Sequence, residues 1–116
     1  MQKNYLYIGK GLMLASAVRR FNKRFDSRLQ MHHLRILYLL KVTSWPPLRV
    51  EIIRHHEDLS CKMNYTLLNR SLFYLEQENM VSSWSKDGCK AFRLTPRGIE
   101  LLAWIENNVR AARQTV

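Results

Sequence analysis

The residues best suited to specific chemistry lie between positions 62 and 70. Lys62, Asn64, Tyr65, Thr66, Asn69 and Arg70 are all hydrogen-bond formers. Their types match the edges of DNA bases: Arg forks onto guanine, Asn onto adenine, and Thr and Tyr bond edges or phosphates. A second group, Lys86, Lys90 and Arg93, is cationic. It suits phosphate, which raises affinity and salt dependence while carrying little sequence information. Neither group looks catalytic. The chain has no paired carboxylates, no nucleophile with a base and no glycine-rich phosphate loop, so no enzymatic activity is expected. The histidines come as His32-His33 and His55-His56. Adjacent helical residues point about 100° apart and do not chelate one ion together. His55-His56 with Cys61 matches no zinc-finger spacing and lacks a fourth ligand. No metal and no cofactor are expected.

These residues need elements to hold them. Leu68, Leu72 and Leu75 fall at i, i+4 and i+7, an apolar stripe that predicts a helix over about residues 62–78. Asn64, Thr66, Asn69, Arg70 and Phe73 fall off that stripe. Leu67 and Phe73 are candidates for thymine-methyl contact or for the core, and Phe73 is assigned to the core. From Met80 the period changes to two. Asp87-Gly88 is a two-residue hairpin signal, because a type I′ turn needs positive φ at both central positions. The register then pairs Lys86 with Cys89, Ser85 with Lys90, Ser83 with Phe92 and Val81 with Leu94. One face of the ribbon, over residues 80–94, carries Val81, Phe92 and Leu94; the other carries Trp84, Lys86 and Arg93. Thr95-Pro96 starts the last helix with an N-cap and a proline at its first position. A helix running into a basic two-stranded ribbon is the signature of a winged helix-turn-helix. The expected fold class is therefore mostly α with a small β-wing.

Leu75-Glu76, Asn79-Met80-Val81 and Leu94-Thr95-Pro96-Arg97-Gly98 resemble the MarR family of bacterial winged-helix regulators, which carry a Leu-Glu, Gly-Leu-Val, wing, Leu-Thr-x-x-Gly run. The resemblance covers roughly residues 31–113, and its last motif is the most specific; PadR-type and other winged-helix families share parts of it. Arg70 stands where that family often has a recognition-helix arginine. Asn79 replaces the usual glycine, and asparagine also accepts a left-handed conformation. Asp87-Gly88-Cys89-Lys90 stands where the family has Asp-x-Arg, so the wing arginine is missing or replaced by Lys90. The resemblance implies a homodimer joined through its terminal helices and, most often, repression by occlusion.

Composition points the same way. The chain has 116 residues, with 19 Lys and Arg against 9 Asp and Glu, a formal charge of +10. So large a surplus on a small surface implies a polyanionic partner, most simply nucleic acid. A hydrophobic share of 47% argues against disorder. Cys61 and Cys89 define no disulfide framework and fit a reducing compartment. Cys61 near the proposed recognition helix is read as an inert thiol in preference to a redox switch. No stretch is long enough to span a membrane and no signal peptide is recognised. A prokaryotic, cytoplasmic, nucleoid-associated protein is the expectation.

The remaining elements follow in order. One domain is expected, with 1–30 as an N-terminal dimerisation helix, 31–94 as the winged-helix core and 95–116 as a C-terminal dimerisation helix. Residues 1–10 give no clear reading. From Leu12 to about Leu29 a helix carries Leu14, Val18, Phe21 and Phe25 on one face. Its Arg19, Arg20, Lys23, Arg24 and Arg28 are read as a solvated face in preference to phosphate contacts. Met31–Val42 reads as a helix buried on more than one side. Pro46-Pro47 ends it, with Trp45 as a plug in a short strand added to the wing sheet. Residues 48–57 read as the first helix of the helix-turn-helix, with Val50 and Ile53 inward, Ile52 a further inward candidate, and Arg49 and Arg54 outward; the turn lies within Glu57–Cys61. The last helix, Pro96 to Arg113, shows one stripe of Ile99, Leu102, Ile105 and Val109 and a second of Leu101, Trp104 and Asn108. A helix apolar on two faces needs two partners, and a second subunit is the expected cover for the second stripe and the N-terminal helix. The alternative is a monomer with its terminal helices packed together.

The expected function is sequence-specific double-stranded DNA binding at a pseudo-palindrome by a homodimeric regulator. The alternatives are a mobile-element replication or excision accessory and an RNA-binding or architectural winged helix, for which Tyr65, Tyr74 and Trp84 would supply stacking. No residue singles out a small-molecule effector.

Overall fold

The computed structural model describes residues 11–43, 47–55 and 63–114. Its elements are α1 (Gly11–Phe25), α2 (Met31–Val42), β1 (Leu48–Arg49), α3 (Val50–His55), α4 (Tyr65–Gln77), β2 (Val81–Lys86), β3 (Cys89–Leu94) and α5 (Pro96–Gln114). The sheet has strand order β1-β3-β2 and is antiparallel throughout. Each expected pairing of the ribbon is present, from Val81 opposite Leu94 to Lys86 opposite Cys89. The turn between them has φ of 55° at Asp87 and 76° at Gly88, the sign that a type I′ hairpin demands.

The third strand is where expectation and structure part. Leu48 and Arg49 pair with Phe92 and Ala91, so residues first read as helix form the added strand and α3 begins at Val50. A strand this short has no period of its own to read; its partner β3 defines it. Trp45, expected in that strand, and the Glu57–Cys61 turn lie outside the described residues.

α2 is the hub. Leu34, Ile36 and Leu37 are fully buried and Leu39 and Leu40 nearly so, because α2 is packed by α4, α5 and β3. α1 stops at Phe25, earlier than expected. Asp26 takes φ 52° and Ser27 N–H bonds back to the Asn22 carbonyl at 3.0 Å, a left-handed C-terminal cap. The Asn22 side chain then holds both the N–H and the C=O of Leu29, fixing the path into α2.

The terminal helices are each other's partner. Leu14, Ala17, Val18 and Phe21 of α1 are buried, as are Leu101, Leu102, Ile105 and Val109 of α5. Trp104 meets Phe21 and Phe25 edge-on, with ring centroids 5.6 and 5.7 Å apart. The expectation that α1 and the second stripe of α5 have nothing within the chain to cover them is therefore corrected. Ile99, placed on the inward stripe, is instead half exposed, and so is Ile52 of α3. In both helices one turn of apolar spacing did not distinguish the buried line from its neighbour.

Candidate nucleic-acid interface

α4 is held rigidly at both ends. Asn64 is its N-cap, with Oδ1 accepting the Leu67 N–H at 2.8 Å. At the other end Asn79 takes φ 62°, with Met80 N–H on the Leu75 carbonyl and Asn79 N–H on that of Glu76, a Schellman closure. This satisfies the orphan carbonyls and turns the chain directly into β2. Leu68, Leu72 and Leu75 seal one side of α4 in the core.

The opposite side is open. Thr66, Asn69, Arg70, Phe73 and Gln77 are all exposed and repeat at helical spacing. Arg70 is exposed, and among the described residues no ion pair joins it to Glu51 or Glu76. Of the residues expected at the bases, Thr66, Asn69 and Arg70 thus share one face. Tyr65 is turned aside, with the Arg54 guanidinium over its ring at 5.0 Å. Asn64 has its carbonyl oxygen committed to the cap, and Lys62 lies outside the described residues. Phe73 was expected in the core and is 60% exposed. The correction was available in its position, since Phe73 lies off the Leu68–Leu72–Leu75 line.

Tyr74, on the flank of α4, ties this helix to the α1–α2 link. Its hydroxyl is 2.9 Å from Ser27 Oγ and accepts the Arg28 N–H at 2.9 Å. Its ring lies 4.9 Å from that of His33. The His33 imidazole is buried, and Nδ1 accepts the Gln30 N–H at the start of α2 at 2.9 Å. That bond requires a neutral ring. Burial first, then the neighbouring His32, pushes the His33 pKa down to about 4. His33 thus serves the start of a helix.

The wing carries its cations differently from what their charge alone suggests. Lys90 lies 3.6 Å from Glu76 Oε1, and Glu76 Oε2 accepts the Ser83 hydroxyl. Glu76 therefore anchors the ribbon to α4. On the far face Arg93 stacks over the exposed Trp84 ring at 4.5 Å, a diagonal cross-strand pair. Lys86 occupies the last position of β2. The wing is also fixed at its base. Thr95 Oγ1 donates to the Asn79 carbonyl at 2.6 Å and accepts the Gly98 N–H at 3.1 Å. A Cβ on Gly98 would collide with the Met80 carbonyl oxygen and the Leu94 side chain, which explains the glycine of the Leu-Thr-Pro-Arg-Gly motif. An open cleft of about 190 Å³ lies between α1 and α5, lined by Phe21, Phe25, Met80, Arg97, Glu100, Leu101 and Trp104. No described helix is long and apolar enough to cross a membrane.

No family model and no curated protein matches the chain. Solved structures do. The chain is similar to MepR, a transcription regulator of the Staphylococcus aureus multidrug efflux pump MepA, with 17% identity, a TM-score of 0.71, and coverage of 99% of this chain and 81% of that one. It is similar also to MepR in its complex with DNA, at 18% identity and TM-score 0.70 over 96% of this chain and 80% of that one. A MarR-family transcriptional regulator from Silicibacter pomeroyi aligns at 17% identity and TM-score 0.62, over 88% of this chain and 65% of that one. At such identities the likeness shows the fold alone, a winged helix shared with these regulators.

Proposed function

We propose that the chain is a sequence-specific DNA-binding transcriptional regulator that inserts α4 into the major groove. The observation that carries this reading is the outward face of α4. A helix capped at both ends, with three leucines sealed in the core, presents Thr66, Asn69 and Arg70 together to solvent. The formal charge of +10 supplies the nonspecific attraction to phosphate, and one of the similar folds is that of a protein solved with DNA. In this reading Arg70 forks onto guanine and Asn69 bonds adenine. Lys86, Lys90 and Arg93 of the wing lie along the flanking backbone and set register.

The reading extends to a homodimer acting as a repressor by occlusion. Two copies would present α4 to successive major grooves and select half-sites about 10 base pairs apart. A mobile-element accessory would use the same face, and binding sites at element ends instead of promoters distinguish it. The RNA reading loses support from the aromatics it would need. Tyr74 is held by the α1–α2 link, and Tyr65 and Trp84 each carry an arginine on the ring.

Selection from random-sequence duplexes at low and moderate salt, with Arg70→Ala alongside, tests the proposal. An enriched inverted repeat, lost in the variant, is the expected result. Binding without enrichment that collapses with salt overturns it.

A further inference from the structure

We propose that Phe73 is a specificity residue that reads the C5-methyl group of a thymine beside the guanine contacted by Arg70; this rests on the DNA-binding reading above. Phe73 is 60% exposed, and among the described residues its ring meets no other aromatic ring or cation. Leaving a phenyl ring in water forgoes about 25 cal/mol for each Å² that burial would remove, which contact with an apolar group of a partner would recover. The location gives the ring a use. Thr66, Arg70, Phe73 and Gln77 fall at i, i+4, i+7 and i+11, one line along the outward face of α4 and opposite Leu68, Leu72 and Leu75. Phe73 is therefore the apolar member of an otherwise polar reading line.

Chemistry and geometry then select the target. The major groove presents one apolar group to a protein, the thymine methyl, and an aromatic ring contacts it well. Along a helix lying in the groove, three residues advance about 4.5 Å. Bases stack at about 3.4 Å. The thymine should thus fall one or two base pairs from the guanine. The Schellman closure at Asn79 holds the C-terminal half of α4, so the ring is carried on a fixed backbone.

The test uses the full chain and its selected duplex, with each thymine replaced singly by deoxyuridine, which removes only the methyl group. The wild-type protein should bind about fourfold more weakly at one such position, the value of burying a single methyl, within two base pairs of the Arg70-dependent guanine. Phe73→Ala should bind the thymine duplex more weakly and become indifferent to deoxyuridine there, with an unchanged melting temperature because the ring is exposed. Indifference of the wild type at every thymine, or an undiminished deoxyuridine penalty in Phe73→Ala, overturns the proposal. Dissociation of an oligomer by Phe73→Ala, with base preference intact, overturns it also. If Arg70→Ala still loses its guanine in those cases, the DNA reading stands while the role of Phe73 falls. If the wild type enriches no site at all, both fall.

Discussion

α2 and α4 are helices of 12 and 13 residues, yet they do opposite work. α2 buries Leu34, Ile36, Leu37, Leu39 and Leu40 around more than half of its circumference, as a helix packed by three other elements must. α4 buries Leu68, Leu72 and Leu75 along a single line and leaves Thr66, Asn69, Arg70 and Phe73 in solvent. The first helix stabilises; the second, in the proposed reading, leaves a face free to meet DNA. If that division is real, damage to α2 should appear as lost stability, and damage to the outer line of α4 should appear as lost recognition.

The largest effect is expected in α2. Leu37→Ala removes a fully buried side chain where three neighbours cannot all collapse into the gap. It should cost about 2–5 kcal/mol in urea unfolding. A loss under 1 kcal/mol would mean that the hub is looser than its packing implies. Acid should act on the same helix. The His33 pKa is depressed to about 4 in the folded chain, against an ordinary 6.5 when unfolded, so the unfolded state takes up more protons between those values. Stability should be complete above about pH 6.5, fall as pH drops through that window, and lose nothing further from this residue below about 4. The loss is at most about 3 kcal/mol, an upper bound because the ring keeps some contact with solvent. Urea midpoints across pH 3.5–7.5, with His33→Gln as reference, measure it. An equal slope in the variant would remove His33 as the cause.

Arg70→Ala tests the other half of the division. Loss of one bidentate base contact should weaken binding by about 1–3 kcal/mol and relax preference at one position. Unfolding should move by less than about 0.5 kcal/mol, as for an ordinary surface change. A variant that lost stability and kept its base preference would erase the distinction between the two helices.

What the chain of residues disclosed, and what it hid, follows the same division. The ribbon register was legible because Asp87-Gly88 fixes the turn and period two does the rest. The inner line of α4 was legible because the other aliphatic or phenyl side chains of the helix, Leu67 and Phe73, fall off the Leu68–Leu72–Leu75 spacing. Ile52 and Ile99 were misplaced because their helices offer apolar residues at adjacent angles, and only the tertiary neighbours choose between them. β1 was hidden because its partner is more than forty residues away. The packing of α1 on α5 was hidden for a similar reason: spacing shows that a face must be covered but not by what. Within the candidate site, residue types disclosed the donors but not their engagements, such as Lys90 with Glu76 or the stacking of Arg54 on Tyr65.

Asn64 is the residue on which the two roles meet, and it gives the smallest and sharpest test. By residue type it belongs with the base readers; by geometry its carbonyl oxygen is spent on the Leu67 N–H. Asn64→Ala should lower stability by about 1 kcal/mol, the usual value of an N-cap. Asn64→Ser should restore most of it, since a hydroxyl accepts the same bond. If capping is its whole contribution, the serine variant will select the wild-type site unchanged. A serine variant that is stable but has lost one adenine preference would show that the amide nitrogen, turned away from the cap, reads a base as well. The boundary between the holding and reading parts of α4 would then run through one side chain.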